Sequence, residues 1–251
     1  MTAQKTTRAK VDEFAARLEQ VLGENLVSLM LYGAAVRSEG TGSATTLLIL
    51  RDASPSALRS IQAHVASWTK RGNPPPLTFA LDEWLSSADV FPIEIEDMRE
   101  AHVLLKGEDP LADIMTTKED LRSELEREIR GKLLQLRREF AAAAADGKQL
   151  GELLVESART FFILFRATLR LVGRTPPQDP ESLVSETAAV AGFDASCFQW
   201  ILAKIKGTKV SNLQDSDPVG DSYLQQIELL AGFVDSFEVA GADQASEQGS
   251  N

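Results

Sequence analysis

The sequence predicts an α/β domain with a mixed sheet over residues 1–115, followed by an all-α helical bundle over residues 116–240. Three observations carry that prediction. Two short apolar runs, Leu26–Tyr32 and Leu47–Leu50, are flanked by Gly, Ser and Thr and have the length and composition of strands buried on both faces. A third run, Leu77–Leu81, follows a helix-period segment, so strands and helices alternate as they do around a sheet. Beyond Pro110 the strand signals cease, and apolar residues recur only at three- and four-residue spacing.

Taken in order, Val11, Phe14, Ala15, Leu18, Val21 and Leu22 form one stripe of an amphipathic helix from about Thr7, ended by Gly23. The first strand run then leads straight into a loop of small residues, where Gly33, Ala34 and Gly42 leave the backbone open to close approach by a ligand. After the second run, Ser54 is placed to cap a helix with Pro55 at its first position and Leu58, Ile61, Val65 and Trp68 on its buried side. The run Gly72-Asn73-Pro74-Pro75-Pro76 stops that helix. Past the third strand, Asp82 reads as the cap of a short helical turn through Leu85, with Glu83 at a favourable dipole position. The segment 87–110 then reads as a strand, a short helix and another short strand closing the domain.

In the second half, Leu121, Leu125, Ile129, Leu133, Leu136 and Phe140 define one long helix from Glu119 to about Ala145. Asp146-Gly147 breaks it, and a second helix runs from Leu150 to about Val172. Three more follow over 180–191, 195–206 and 220–239, and short links between long helices imply antiparallel neighbours. Arginines on the first bundle helix alternate with Glu at helical spacings, which reads as an ion-paired, solvated face. Residues 241–251 are small and polar and are expected to be disordered.

Composition narrows the function classes. The formal net charge is −11, from 26 Lys plus Arg against 37 Asp plus Glu, so bulk nucleic-acid binding is disfavoured. Cys197 is the single cysteine, which excludes an internal disulfide, and with His64 and His102 as the only histidines there is no Cys/His cluster for zinc. The first residues, MTAQKTTRAKVDEF, contain no apolar core of signal-peptide length, and no membrane span is expected; a cytoplasmic location fits.

The stretch from Leu26 to Leu50 resembles the nucleotidyltransferase superfamily, in its kanamycin-nucleotidyltransferase-like and minimal-nucleotidyltransferase branches. That family's core is an apolar strand, Gly-Ser, a polar loop often holding Arg-Gly, then Ser-Asp-x-Asp entering a second apolar strand. Here Tyr32-Gly33-Ala34 stands at Gly-Ser, Arg37-Ser38 at Arg-Gly, and Ser43-Ala44-Thr45-Thr46 at Ser-Asp-x-Asp. The resemblance implies the two-domain fold, with a nucleotide bound around Gly33, Ala34, Arg37, Ser43 and Thr46. It also implies that Arg159, Arg166 and Arg170 of the second bundle helix face a substrate cleft. The series from Asp89 to Pro110 resembles a segment of bacterial nucleotidyltransferase-like proteins.

One departure decides the functional expectation. The family's two Asp residues hold the divalent metals, and Ala44 and Thr46 occupy those positions. A methyl group and a neutral hydroxyl cannot replace a pair of carboxylates as ligands of a hard cation. The expectation is therefore a catalytically inactive member with no catalytic residues, no metal site and no cofactor, acting as a module for a small-molecule or nucleotide ligand or for a protein partner; homo-oligomerisation is left open. The alternative is an active, magnesium-dependent nucleotidyltransferase acting on a small molecule or protein, with relocated ligands among Asp52, Asp82, Glu94 and Asp97.

Overall fold

In the computed structural model, which describes residues 2–37 and 44–239, the chain divides into two compact units, Met1–Thr117 and Lys118–Asn251. The first unit begins with α1 (Thr2–Leu22) and a 3-10 turn, Gly23–Asn25, and continues through β1 (Leu26–Tyr32), α2 (Ala34–Arg37), β2 (Thr45–Leu50) and α3 (Pro55–Thr69). Then come β3 (Leu77–Ala80), α4 (Leu81–Leu85), α5 (Pro92–Glu100) and β4 (His102–Gly107).

The four strands form one sheet in the order β3-β2-β1-β4. β1 runs antiparallel to both β2 and β4, whereas β2 and β3 are parallel, so the sheet is mixed as the sequence predicts. The parallel pair is joined across α3, because parallel neighbours need a crossover where antiparallel ones do not.

Side chains alternate across the strands and both faces are covered, which is why the runs are apolar without interruption. Leu29, Leu31, Leu48 and Leu50 pack in one cluster with Val11, Phe14 and Leu18 of α1 and Ile61 and Trp68 of α3. Met30, Leu47 and Ile49 pack on the other side with Trp84, Ile95 and Met98 from α4 and α5. Phe14 stacks on Trp68 with ring centroids 4.3 Å apart, which fixes α1 against α3.

Three local expectations are corrected. The second strand begins at Thr45, two residues before the apolar run, because the β-branched Thr45 and Thr46 pair with Tyr32 and Leu31. Asp82 is not a cap: Ala80 is the cap residue of α4, and its N–H donates to the Glu83 carboxylate (3.0 Å), leaving Asp82 exposed inside the first turn. Residues 87–91 form turns instead of a strand, since the amides of Val90 and Phe91 donate back to the Ser87 carbonyl (3.1 and 3.0 Å) and have no donor left for a neighbouring strand.

The second unit consists of α6 (Lys118–Ala143), α7 (Gly147–Leu171), α8 (Pro180–Ala191), a 3-10 turn at Ala195–Cys197, α9 (Phe198–Ile205) and α10 (Pro218–Ser236). Asp146, Asp179 and Asp217 cap α7, α8 and α10 through their carboxylates. Phe161, Phe165, Phe198 and Tyr223 meet at the centre of the bundle. On α6, Arg122 and Arg130 pair with Glu126 and Arg127 with Glu124 at helical spacing as the sequence predicts, while Arg137 pairs instead with Glu228 of α10. Among the described residues no helix is long and apolar enough to cross a membrane. The expectation for residues 241–251 lies outside the described residues.

Candidate functional site

The motif folds into the strand–turn–helix that its small residues permit. β1 ends at Tyr32, Gly33 adopts φ +76°, and α2 starts at once. That left-handed conformation favours glycine. The Gly33 N–H, however, donates to the Ala101 carbonyl (3.1 Å), so this amide is already used inside the domain and does not project toward a phosphate. Ser43 lies outside the described residues, and of Ala34 and Arg37 only the backbone is described.

Ala44 and Thr46 lie at the start of β2, and both are closed off, at 1% and 0% exposure. The methyl of Ala44 belongs to the apolar cluster of Leu31, Ala35 and Trp68. Its N–H donates to Asn73 Oδ1 (3.0 Å), the Asn73 amide reaches the Trp68 carbonyl (3.4 Å), and the Trp68 indole donates to the Pro74 carbonyl (3.0 Å). The turn after α3 is thereby tied to the start of β2. Thr46, in register with Leu31, faces the same side, and among the described residues its hydroxyl has no hydrogen-bond partner. A magnesium ion requires several oxygen ligands, most of them anionic, so the residues present at the two positions do not fit the metal. The Thr46 side chain is enclosed in this structure.

The alternative carboxylates do not converge. Asp52 lies beyond the far end of β2, about 20 Å from Thr45 at ~3.3 Å per strand residue, and its carboxylate accepts bonds from the Ser54 N–H (2.9 Å) and hydroxyl (2.7 Å). Asp82 is on α4. Glu94 and Asp97 are one turn apart on α5 and act together on Tyr32. Burial, then the charges of Glu94 and of Asp97, push the Tyr32 phenol up to about 12.

Tyr32 pairs across the sheet with Thr45 on one side and His102 on the other, so these three side chains share a face. His102 holds its Nδ1 2.9 Å from the Met98 carbonyl. That face is opposite the one bearing Ala44 and Thr46, because neighbouring residues of a strand point to opposite sides. Of the four proposed ligands the fold thus unites Glu94 and Asp97, with Asp52 and Asp82 elsewhere. Among the described residues no three His, Cys, Asp or Glu side chains are grouped to hold a metal ion.

In the helical unit, Arg166 is buried, at 8% exposure, and its guanidinium donates to the Gln178 carbonyl (3.3 Å), while Arg159 is exposed and Arg170 half-buried. The three arginines therefore differ in environment despite their spacing.

No protein-family model and no curated protein matches the sequence. Among solved structures the chain is similar to spectinomycin adenyltransferase AAD(9) from Enterococcus faecialis, solved with ATP and spectinomycin, with a TM-score of 0.57 and 11% identity. The fold is nucleotidyltransferase-like. The likeness covers 91% of this chain and 99% of that one, so it extends over the sheet unit and the helical unit alike. Two features of the site were missed by sequence reasoning: the closure of β2 by Asn73, and the row Thr45–Tyr32–His102 beside Glu94 and Asp97. A tyrosine ending a buried strand was the available signal for the second.

Proposed function

We propose that this nucleotidyltransferase-fold protein transfers no nucleotide and acts as a ligand-binding or protein-interaction module in the cytoplasm. The observation that carries the reading is the burial of Ala44 and Thr46 at 1% and 0% exposure. Loss of the two carboxylates alone could be repaired by acids supplied from elsewhere. Burial of both positions is harder to reverse, because an incoming metal would have to displace packed side chains.

The relocated-ligand reading has one observation in its favour, the pairing of Glu94 and Asp97 beside Tyr32. Its weakness is geometric. Those acids lie across the sheet from the family's metal face, and in-line phosphoryl transfer tolerates little misplacement, a shift of about 1 Å costing on the order of a hundredfold in rate.

The partners that suit this reading are a small molecule, a nucleotide held weakly, another protein or a second copy of the chain. With a net charge of −11, long nucleic acids suit it least. Incubation with radiolabelled nucleoside triphosphates, magnesium or manganese, and small-molecule and protein acceptors tests it. The expected result is no label transfer above a protein-free control. Metal-dependent transfer that disappears in Glu94→Gln or Asp97→Asn would overturn it.

A further inference from the structure

The helical unit contains a cavity of about 520 Å³ lined by α7, α9 and the segment joining α9 to α10. That is within the size range of small-molecule sites, roughly 300–1,000 Å³. Its wall is mostly apolar, from Val155, Leu213, Trp200 and the bare backbone of Gly147 and Gly151.

The two glycines lie one turn apart on α7, and each leaves room for a particular neighbour. A Cβ at Gly147 would collide with the Leu213 carbonyl, and one at Gly151 would come within 2.9 Å of Cη2 of Trp200. The indole is fixed further by its N–H, which donates to the Ser211 carbonyl (2.9 Å), and by Lys204, whose Nζ stands 5.3 Å from the ring centroid. Lys204 also donates to the Val210 carbonyl (3.4 Å) and to Asn212 Oδ1 (3.1 Å). The wall is therefore held in place by contacts of its own before any ligand arrives.

The charged groups at its margin indicate what it takes. An ammonium has three donors, and Lys204 spends two of them on the wall, which leaves one. Arg159, exposed on α7, forms no ion pair among the described residues and brings its full fork of donors. Lys148 lies 3.9 Å from Glu152, so those two charges largely offset each other. The remaining margin carries two cations against Glu156, in a protein whose overall charge is −11.

We propose that this cavity binds a small aromatic acid, with the ring in the apolar slot beside Trp200 and the anionic group against Lys204 and Arg159. The proposal concerns a site distinct from the strand ends of the sheet, and it stands whether or not nucleotides are transferred there.

The test uses the full chain and two probes of similar shape, 1-anilinonaphthalene-8-sulfonate and its uncharged counterpart N-phenyl-1-naphthylamine. Titration with each is followed by probe fluorescence and by the indole N–H resonances of the three tryptophans. The expected result is saturable binding of the sulfonate at one site, about tenfold tighter than the neutral probe, as one charge-assisted hydrogen bond would give. The Trp200 resonance should shift while those of the buried Trp68 and Trp84 stay put. Arg159→Met, which removes none of the contacts that hold the wall, should reduce the preference for the acid, and Arg159→Lys should restore part of it. Equal affinity for the two probes in the parent chain, or shifts at Trp68 or Trp84 without one at Trp200, would overturn the proposal.

Discussion

The two faces of the sheet at the end of β1 and the start of β2 differ in what they have kept. On the face toward α1 and α3, Ala44 packs with Leu31 and Trp68 and is tied to the turn at Asn73, and Thr46, paired with Leu31, is fully buried. On the face toward α5, Tyr32, Thr45 and His102 form a polar row with Glu94 and Asp97 close by. The two faces thus differ in chemistry, one packed apolar over Ala44 and Thr46 and the other bearing a polar row with acids beside it. Overall fold likeness does not report this difference, because it follows the backbone, whereas the chemistry is set by which side of a strand a carboxylate occupies.

The most damaging way to probe the contrast is to return a charge to the closed face. Thr46→Asp would place a carboxylate at a position with 0% exposure and no partner for the existing hydroxyl among the described residues. The burial penalty should destabilise the sheet unit by about 3 kcal/mol or more, or hold the new acid protonated at neutral pH. Urea unfolding at pH 5 and pH 8 reads both outcomes, with the variant weaker at the higher pH. Unchanged stability at both would mean that the face is open.

The opposite substitution has a smaller effect of the other sign. Thr46→Val replaces an unpartnered buried hydroxyl with a methyl of similar shape, and should stabilise the unit by about 1 kcal/mol. A loss of stability in the same urea experiment would show that the hydroxyl has a partner, such as an ordered water.

The smallest expected change is on the polar face. Burial and the charges of Glu94 and Asp97 push the Tyr32 phenol from its ordinary 10.0 up to about 12, so its protonated form is the one the fold favours. Its contribution to stability is complete below pH 10.0 and is lost as the pH rises through about 12. Combining Glu94→Gln with Asp97→Asn should bring the titration partway down, and only partway, because burial is the larger cause. Tyrosinate absorbance in a Tyr223→Phe background isolates the signal, since the chain has two tyrosines. A titration that does not move would separate the acids from Tyr32.

Much of the fold was legible because its signals are local. The apolar runs give β1 and the core of β2, Ser54-Pro55 starts α3, and the period of Leu121 to Phe140 gives α6. What escaped was set by contacts distant in sequence: Asn73 closes on Ala44 across 29 residues, and Glu94 meets Tyr32 only because α5 packs under β1. The composition around Phe91 is strand-like, while the turn bonds to Ser87 that decide its conformation leave no mark in composition. The cavity beside Trp200 depends on Gly151 in the same way, although the Gly147 and Gly151 spacing was visible.

The central claim is that the nucleotidyltransferase-like face holds no metal-dependent nucleotide site, and calorimetric titration tests it most directly. ATP, GTP, CTP and UTP are each titrated into the full chain with magnesium and again with chelator. With the Gly33 amide committed to Ala101 and no carboxylates at Ala44 and Thr46, the dissociation constants should be no tighter than roughly millimolar, about −4 kcal/mol, and the same in both conditions. A micromolar constant with magnesium that vanishes on chelation would contradict the account.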